Sequence, residues 1–247
     1  HQMRVATRQL RAVLRAARPL FVPEWVNSLQ DELRWLGQLL GPARDLDVQL
    51  AYFREESAAL DARDRRPLAQ FIAHLEVQRN DVQGVLLSEL KSARYLDLIS
   101  RLQQATHDPT VVESNATLHD LATRAFKKLR KVIRQVGASP NSATIHEIRI
   151  HTKRARYAAE LAEPMVGKPA TRFIKKARVV QDVLGMHQDA IQAEVYVRAF
   201  LKQSTSVRAA FVAGRMVERQ RERRAKASKE MRALWEGLLK RGEKAWG

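Results

Sequence analysis

Apolar positions recur every three to four residues along almost the whole chain, the period of helices that bury one face. Met3, Ala6, Leu10, Val13, Leu14 and Ala17 share one side of a first helix. Val26, Leu29, Leu33, Leu36 and Leu40 mark a second, which Gly41-Pro42 is expected to stop, because proline brings no amide donor to the next turn. Asp45 is then the expected N-cap of a helix ending near Leu60. Pro67 suits the first turn of a long helix towards Ala105, re-nucleated at Ser92. Leu118, Leu121, Ala125, Leu129, Val132 and Val136 trace another, and three more are expected at 170–184, 186–202 and 206–240. Residues 106–117, with Asp108-Pro109 and Ser114-Asn115, read as a linker, and 137–143, with Ser139-Pro140-Asn141-Ser142, as a second. No segment shows the alternation of a strand. The pattern predicts an all-α protein of roughly ten helices.

A basic pattern occurs twice. His1-Gln2-Met3-Arg4-Val5-Ala6-Thr7-Arg8-Gln9-Leu10-Arg11 corresponds to His146-Glu147-Ile148-Arg149-Ile150-His151-Thr152-Lys153-Arg154-Ala155-Arg156 at an offset of 145 residues. Further on, Leu40-Gly41-Pro42-Ala43-Arg44-Asp45 corresponds to Leu184-Gly185-Met186-His187-Gln188-Asp189 at an offset of 144, the slip that one loop insertion or deletion gives. Each half thus carries a basic helix, an apolar helix ending at Leu-Gly and a helix starting at Asp. The economical architecture is one compact unit of two pseudo-twofold-related bundles, residues 1–105 and 118–247, joined by 106–117.

The charges fall on defined faces. At about 100° per residue, His1, Arg4, Arg8, Arg11, Arg15 and Arg18 lie on one arc of the first helix, opposite its apolar set. His146, Arg149, Lys153 and Arg156 occupy the matching arc of its twin. A solvated face would interleave acids at i+4 to relieve like-charge repulsion. The first stripe has none between His1 and Arg18; the second has only Glu147, which lies off the arc, and Glu160. Arg4 to Arg18 spans roughly 21 Å, too long for one phosphate group and suited to a repeating anion. Lys127, Lys131 and Arg134 share a further face, of which Lys127 and Lys131 are expected to extend the binding surface, while Lys175 and Arg178 share another that either extends it or faces water. The basic residues of the last helix alternate with Glu218, Glu222 and Glu230 and read as a solvated face.

Composition narrows the partner. Lys and Arg number 44 against 27 Asp and Glu, a net charge of +17 that points to a polyanion. Aromatics make up 6%, too few to build base-stacking platforms. There is no cysteine, which removes disulfides, thiol catalysis and Cys-based zinc sites and is compatible with a reducing cytoplasm. No apolar run reaches membrane-spanning length. The chain opens at His1 inside a helical repeat, so further residues are expected upstream of it.

No catalytic group, metal site or cofactor is expected. His146 and His151 are five residues apart, about 140° round a helix, whereas a zinc-protease motif needs two histidines on one face. Neither a phosphate-binding glycine loop nor a nucleophile elbow is present. Asp45-Leu46-Asp47 and Glu55-Glu56 read as helix-surface acids, and Asp45 as a cap tethered by Arg44.

The doubled His-x-x-Arg helix, Arg44-Asp45-Leu46-Asp47-Val48 after Leu-Gly, and Lys153-Arg154-Ala155-Arg156-Tyr157 with Glu160 resemble the CHAD family, the conserved-histidine α-helical domain, over nearly the whole chain. The resemblance implies two four-helix bundles around a central basic channel that binds inorganic polyphosphate without catalysis. It carries the binding role to His1, Arg4, Arg8, Arg11, His146, Arg149, Lys153 and Arg156, while face geometry adds Arg15 and Arg18. The chain departs from the family at Gln188-Asp189, where an Asn-Asp pair is common, and at Glu160, which replaces a base. The expected function is a non-catalytic polyphosphate-binding module, cytoplasmic and associated with polyphosphate granules. The alternatives are a basic helical protein that binds nucleic acid non-specifically, and a phosphate-processing enzyme, for which the Glu-x-Glu-x-Lys run of a triphosphatase is missing.

Overall fold

In the computed structural model, which describes residues 2–137 and 140–247, eight α-helices account for nearly all of the described chain, and none of those residues forms a strand. They are α1 (Gln2–Ala16), α2 (Pro23–Ala58), α3 (Ala62–Glu89), α4 (Ala93–His107), α5 (Leu118–Arg134), α6 (Ser142–Val166), α7 (Lys168–Leu201) and α8 (Val207–Trp246). Several boundaries follow from local chemistry. Ser92, Asn141 and Ser206 cap α4, α6 and α8 through side-chain oxygens, and Thr117 forms a reciprocal capping box with Asp120 at α5. Gly167, at φ 72°, closes α6 in a conformation that a side chain would strain, and leads straight into α7.

Two expected breaks are absent, which reduces ten helices to eight. α2 runs unbroken through Gly41-Pro42, and α7 through Gly185. Asp45 and Asp189 therefore lie inside helices and cap nothing. The periodicity is misleading here for a physical reason. The protected face steps by threes at both places, from buried Leu40 past half-buried Ala43 to buried Leu46, and through buried Leu184, His187 and Ala190, and each three-residue step turns the face back by about 60°. The buried stripe swings by about 120°, because each long helix leaves one core and enters another. Pro42 costs the bond its amide would have made to Gln38. Leu36 and Leu40 on one side, and Leu46, Leu50 and Phe53 on the other, hold the two ends of the helix in different cores.

Three apolar clusters result. One joins α1, the first half of α2 and α4 through Leu14, Leu29, Leu33 and Leu98. A second joins α5, α6, the first half of α7 and the end of α8 through Phe126, Ile148, Phe173 and Leu238. The third draws on both sequence halves: Leu50, Phe53 and Phe71 of α2 and α3 meet Ala193, Val197 and Met216 of α7 and α8. Packing is close enough at Gly242 that a Cβ there would stand 2.0 Å from the Phe126 ring.

The last helix differs from its sequence reading. Arg208 and Arg215 reach across to the buried carboxylate of Asp64 at 2.7 and 2.5 Å, Arg219 pairs with Glu56, and Arg224 meets Glu194 at 2.7 Å. These arginines tie α8 to α2, α3 and α7. Only bases such as Arg221, Lys226 and Lys229 form the solvated face.

Candidate functional site

α6 is the element around which the site is built. Ala155, Ala158, Ala159 and Ala162 are buried and small, so α5 and α7 approach closely on its two flanks. α1 lies against what remains of its surface, the side that carries the bases. Among the described residues α1, α5 and α6 border a cavity of about 780 Å³ that is open to solvent on one side. Arg8, Arg11, Arg15 and Arg18 line it from α1 and the turn that follows. Arg124 and Lys128 come from α5, and His151, Lys153 and Arg154 from α6. Among the described residues no aspartate or glutamate contributes to the lining. Its floor is apolar (Ala12, Ala16, Leu121, Ala125, Ile150), a low-dielectric backing that strengthens the field of the bases in front of it. Gln30 of α2 also lines the cavity, and its buried amide nitrogen lacks a hydrogen-bond partner among the described residues.

The electrostatic consequences are visible residue by residue. Arg11 and Arg15 are held below the usual arginine range, first by burial and then by neighbouring guanidiniums, Arg34 beside Arg11 and Arg154, Arg11 and Arg34 beside Arg15. Burial likewise depresses Arg149; Asp189 opposes the shift, while Arg8 and Arg4 add to it. Lys153 falls furthest, to about 7, through burial first and then Arg149, Arg8, Arg4 and Arg156. His151 is also pushed down, by burial and then Arg154. Gly37 leaves room for this crowding: the Arg11 guanidinium passes 3.3 Å from where its Cβ would be.

The residues expected from the sequence do not all arrive at one place. Arg8, Arg11, Arg15, Arg18 and Lys153 line the cavity. Arg149 lies beside Lys153 and Arg8 at the edge of this group. Arg4 is close to the same pair but is held by Asp45 of α2 at 3.0 Å, so the first stripe is neutralised at that end by a different helix. Arg156 bonds Glu160 at 2.5 Å and Gln181 at 3.1 Å and stacks over Tyr157, with Arg178 sharing Glu160. His146 is exposed near the start of α6, and Lys127 and Lys131 are exposed on α5, all three outside this lining. His1 lies outside the described residues.

Four bases that sequence reasoning left out take part: Arg124, Lys128, His151 and Arg154. Their signal is present in the sequence, on an arc adjacent to the basic stripe. The cavity face of α6 follows Ile150, Lys153, Arg154 and Tyr157 at i, i+3, i+4 and i+7, and only Lys153 belongs both to that face and to the predicted stripe. Packing on α5 and α7 sets the rotation of α6, and charge does not. Likewise the paired acids Asp45 and Asp47 are used in ion pairs, with Arg4 and Arg79.

Comparison with known proteins gives a consistent result. A family model described as "CHAD domain" matches residues 1–198. Two uncharacterised proteins of Mycobacterium tuberculosis are each 28% identical, over 99% of this chain but only 49% of their own length, so the chain spans about half the length of these relatives. Among solved structures, a CHAD domain from the plant Ricinus communis is similar with a TM-score of 0.74 at 27% identity, covering 96% of this chain and 80% of that one. PptA from Streptomyces chartreusis shares the fold, with a TM-score of 0.77 at 19% identity over 94% of this chain and 87% of that one.

Proposed function

Because the chain belongs to the CHAD domain family, we propose that it is a binding module for inorganic polyphosphate and that it carries out no chemistry on the polymer itself. One observation carries this reading: eight arginines and lysines from three helices and the turn after the first line a single cavity to which, among the described residues, no carboxylate contributes. Such a lining is unstable against its own repulsion and is relieved by an anion with many closely spaced charges. Arginine forks clamp phosphate oxygens in pairs, and the four cavity arginines contributed by α1 and its following turn follow one another along the chain as a linear polymer requires. A linear chain of phosphates fits that row better than a duplex, whose charges are spread round a wide cylinder. Nucleic acid is then a weaker, non-specific competitor. The proposed setting is the cytoplasm, at polyphosphate granules, and among the described residues no helix is long and apolar enough to cross a membrane.

The test is titration with phosphate chains of increasing length, against DNA and RNA of matched charge, at several salt concentrations. The reading expects affinity that grows with phosphate chain length, falls steeply with salt and exceeds that for either nucleic acid. Equal affinity for all three polymers would overturn the specificity.

A further inference from the structure

Lys153 stands between Arg149 and Arg156 on α6 and faces Arg4 and Arg8 of α1. The acids near this cluster are engaged elsewhere. Asp45 of α2 holds Arg4, Glu160 holds Arg156 and Arg178, and Asp189 of α7 lies beside Arg149 and Arg223. Among the described residues no carboxylate pairs with the Lys153 ammonium. Across the cavity α5 presents only Arg124 and Lys128, which are bases too. A cation in this position meets like charge on every side and has lost much of its water. The four arginines around it cannot shed a proton near neutral pH, so the lysine is the group that yields.

We propose that Lys153 is where polyphosphate binding takes up a proton from solvent, so that affinity for the polymer falls as pH rises above neutrality. In the free protein the Lys153 amine loses its proton above about 7. A phosphate oxyanion in the cavity reverses the local field, and the Nζ lone pair then takes a proton from water or buffer. No other bond changes. In the free protein His151, in the same lining, is held below its ordinary value by burial and then Arg154, so it carries no proton that Lys153 could be mistaken for losing above pH 7. The ends of the polymer lose protons as pH rises, which strengthens binding, so ligand titration works against the predicted trend. The inference rests on the polyphosphate reading above.

The experiment is calorimetric titration of the whole chain with long-chain polyphosphate at pH 6, 7, 8 and 9, in buffers of different ionisation enthalpy. A single site of this kind gives uptake of about 0.9 proton at pH 8 and an affinity about fiftyfold weaker at pH 9 than at pH 7. Lys153→Arg, which keeps the charge at all these values, is expected to remove both effects. Binding without proton uptake at pH 8 overturns the linkage and leaves the polyphosphate reading standing. Absence of binding at pH 6 overturns both. The wild-type measurement needs no variant, so a Lys153→Arg chain that failed to fold would not blunt the test.

Discussion

Arg4 on α1 and Asp45 on α2, forty-one residues apart in sequence, form an ion pair of 3.0 Å beside the basic cluster of α6. The pair is half-open to solvent, and such pairs contribute little to stability. Its importance lies in occupancy: Asp45 takes the place at Arg4 that a phosphate oxygen would take. Asp45→Asn should leave the fold intact and strengthen binding of long polyphosphate by roughly threefold to fivefold, the ceiling for an exposed pair. Asp97→Asn, an equal charge change at an exposed position on α4, controls for the general field. A gain no larger than that of the control would show that Asp45 does not compete for Arg4.

A second prediction concerns the tie between α3 and α8. Asp64 is only 3% exposed and is held by Arg208 and Arg215, both partly open to water. Removing both arginines leaves a buried carboxylate without compensation, which costs about 3–5 kcal/mol. The double variant Arg208→Ala with Arg215→Ala should therefore melt well below the parent in a thermal scan. Replacing the exposed Arg221 should change the melting point little, and equal losses would contradict the account.

Much of the architecture was legible from the sequence, and the exceptions have a common cause. Helical period and the helix starts at Ser92 and Ser206 rest on local chemistry, and the structure contains them. The stops expected at Gly41-Pro42 and Gly185 fail because Leu40 and Leu46, like Leu184 and Ala190, serve different sides of their helices. A change of burial face imitates a helix end. The site shows the same limit. Arg11 and Arg15 could be placed from the wheel of an isolated helix, but Arg154 and His151 could not, because tertiary packing turns α6 by roughly one residue relative to the charge stripe. The α8 arginines looked solvated because Asp64 and Glu56, their partners, lie about 150 residues away in sequence.

The depressed Lys153 also bears on stability without ligand. Its folded value is about 7 and its ordinary value 10.5, so between these limits the unfolded chain holds a proton that the folded chain does not. Stability then rises with pH across this window, and below about 7 both states are protonated and the benefit is absent. Thermal melts without anion should therefore climb from pH 7 to pH 9, opposite in sign to the fall in polyphosphate affinity. Lys153→Met should flatten the climb. Identical pH profiles for the two chains would show that Lys153 is not the group responsible.

The central claim is that the polymer lies in the cavity between α1, α5 and α6 and does not spread over the basic surface at large. The direct measurement compares two double reversals with the same change in net charge, Arg15→Glu with Arg154→Glu in the cavity and Lys127→Glu with Lys131→Glu on the outer face of α5, by titration with long-chain polyphosphate at one ionic strength. The cavity pair is predicted to lose about a hundredfold or more in affinity with helicity retained, and the outer pair to lose only what its charge costs at long range. Equal losses from the two pairs would contradict the account.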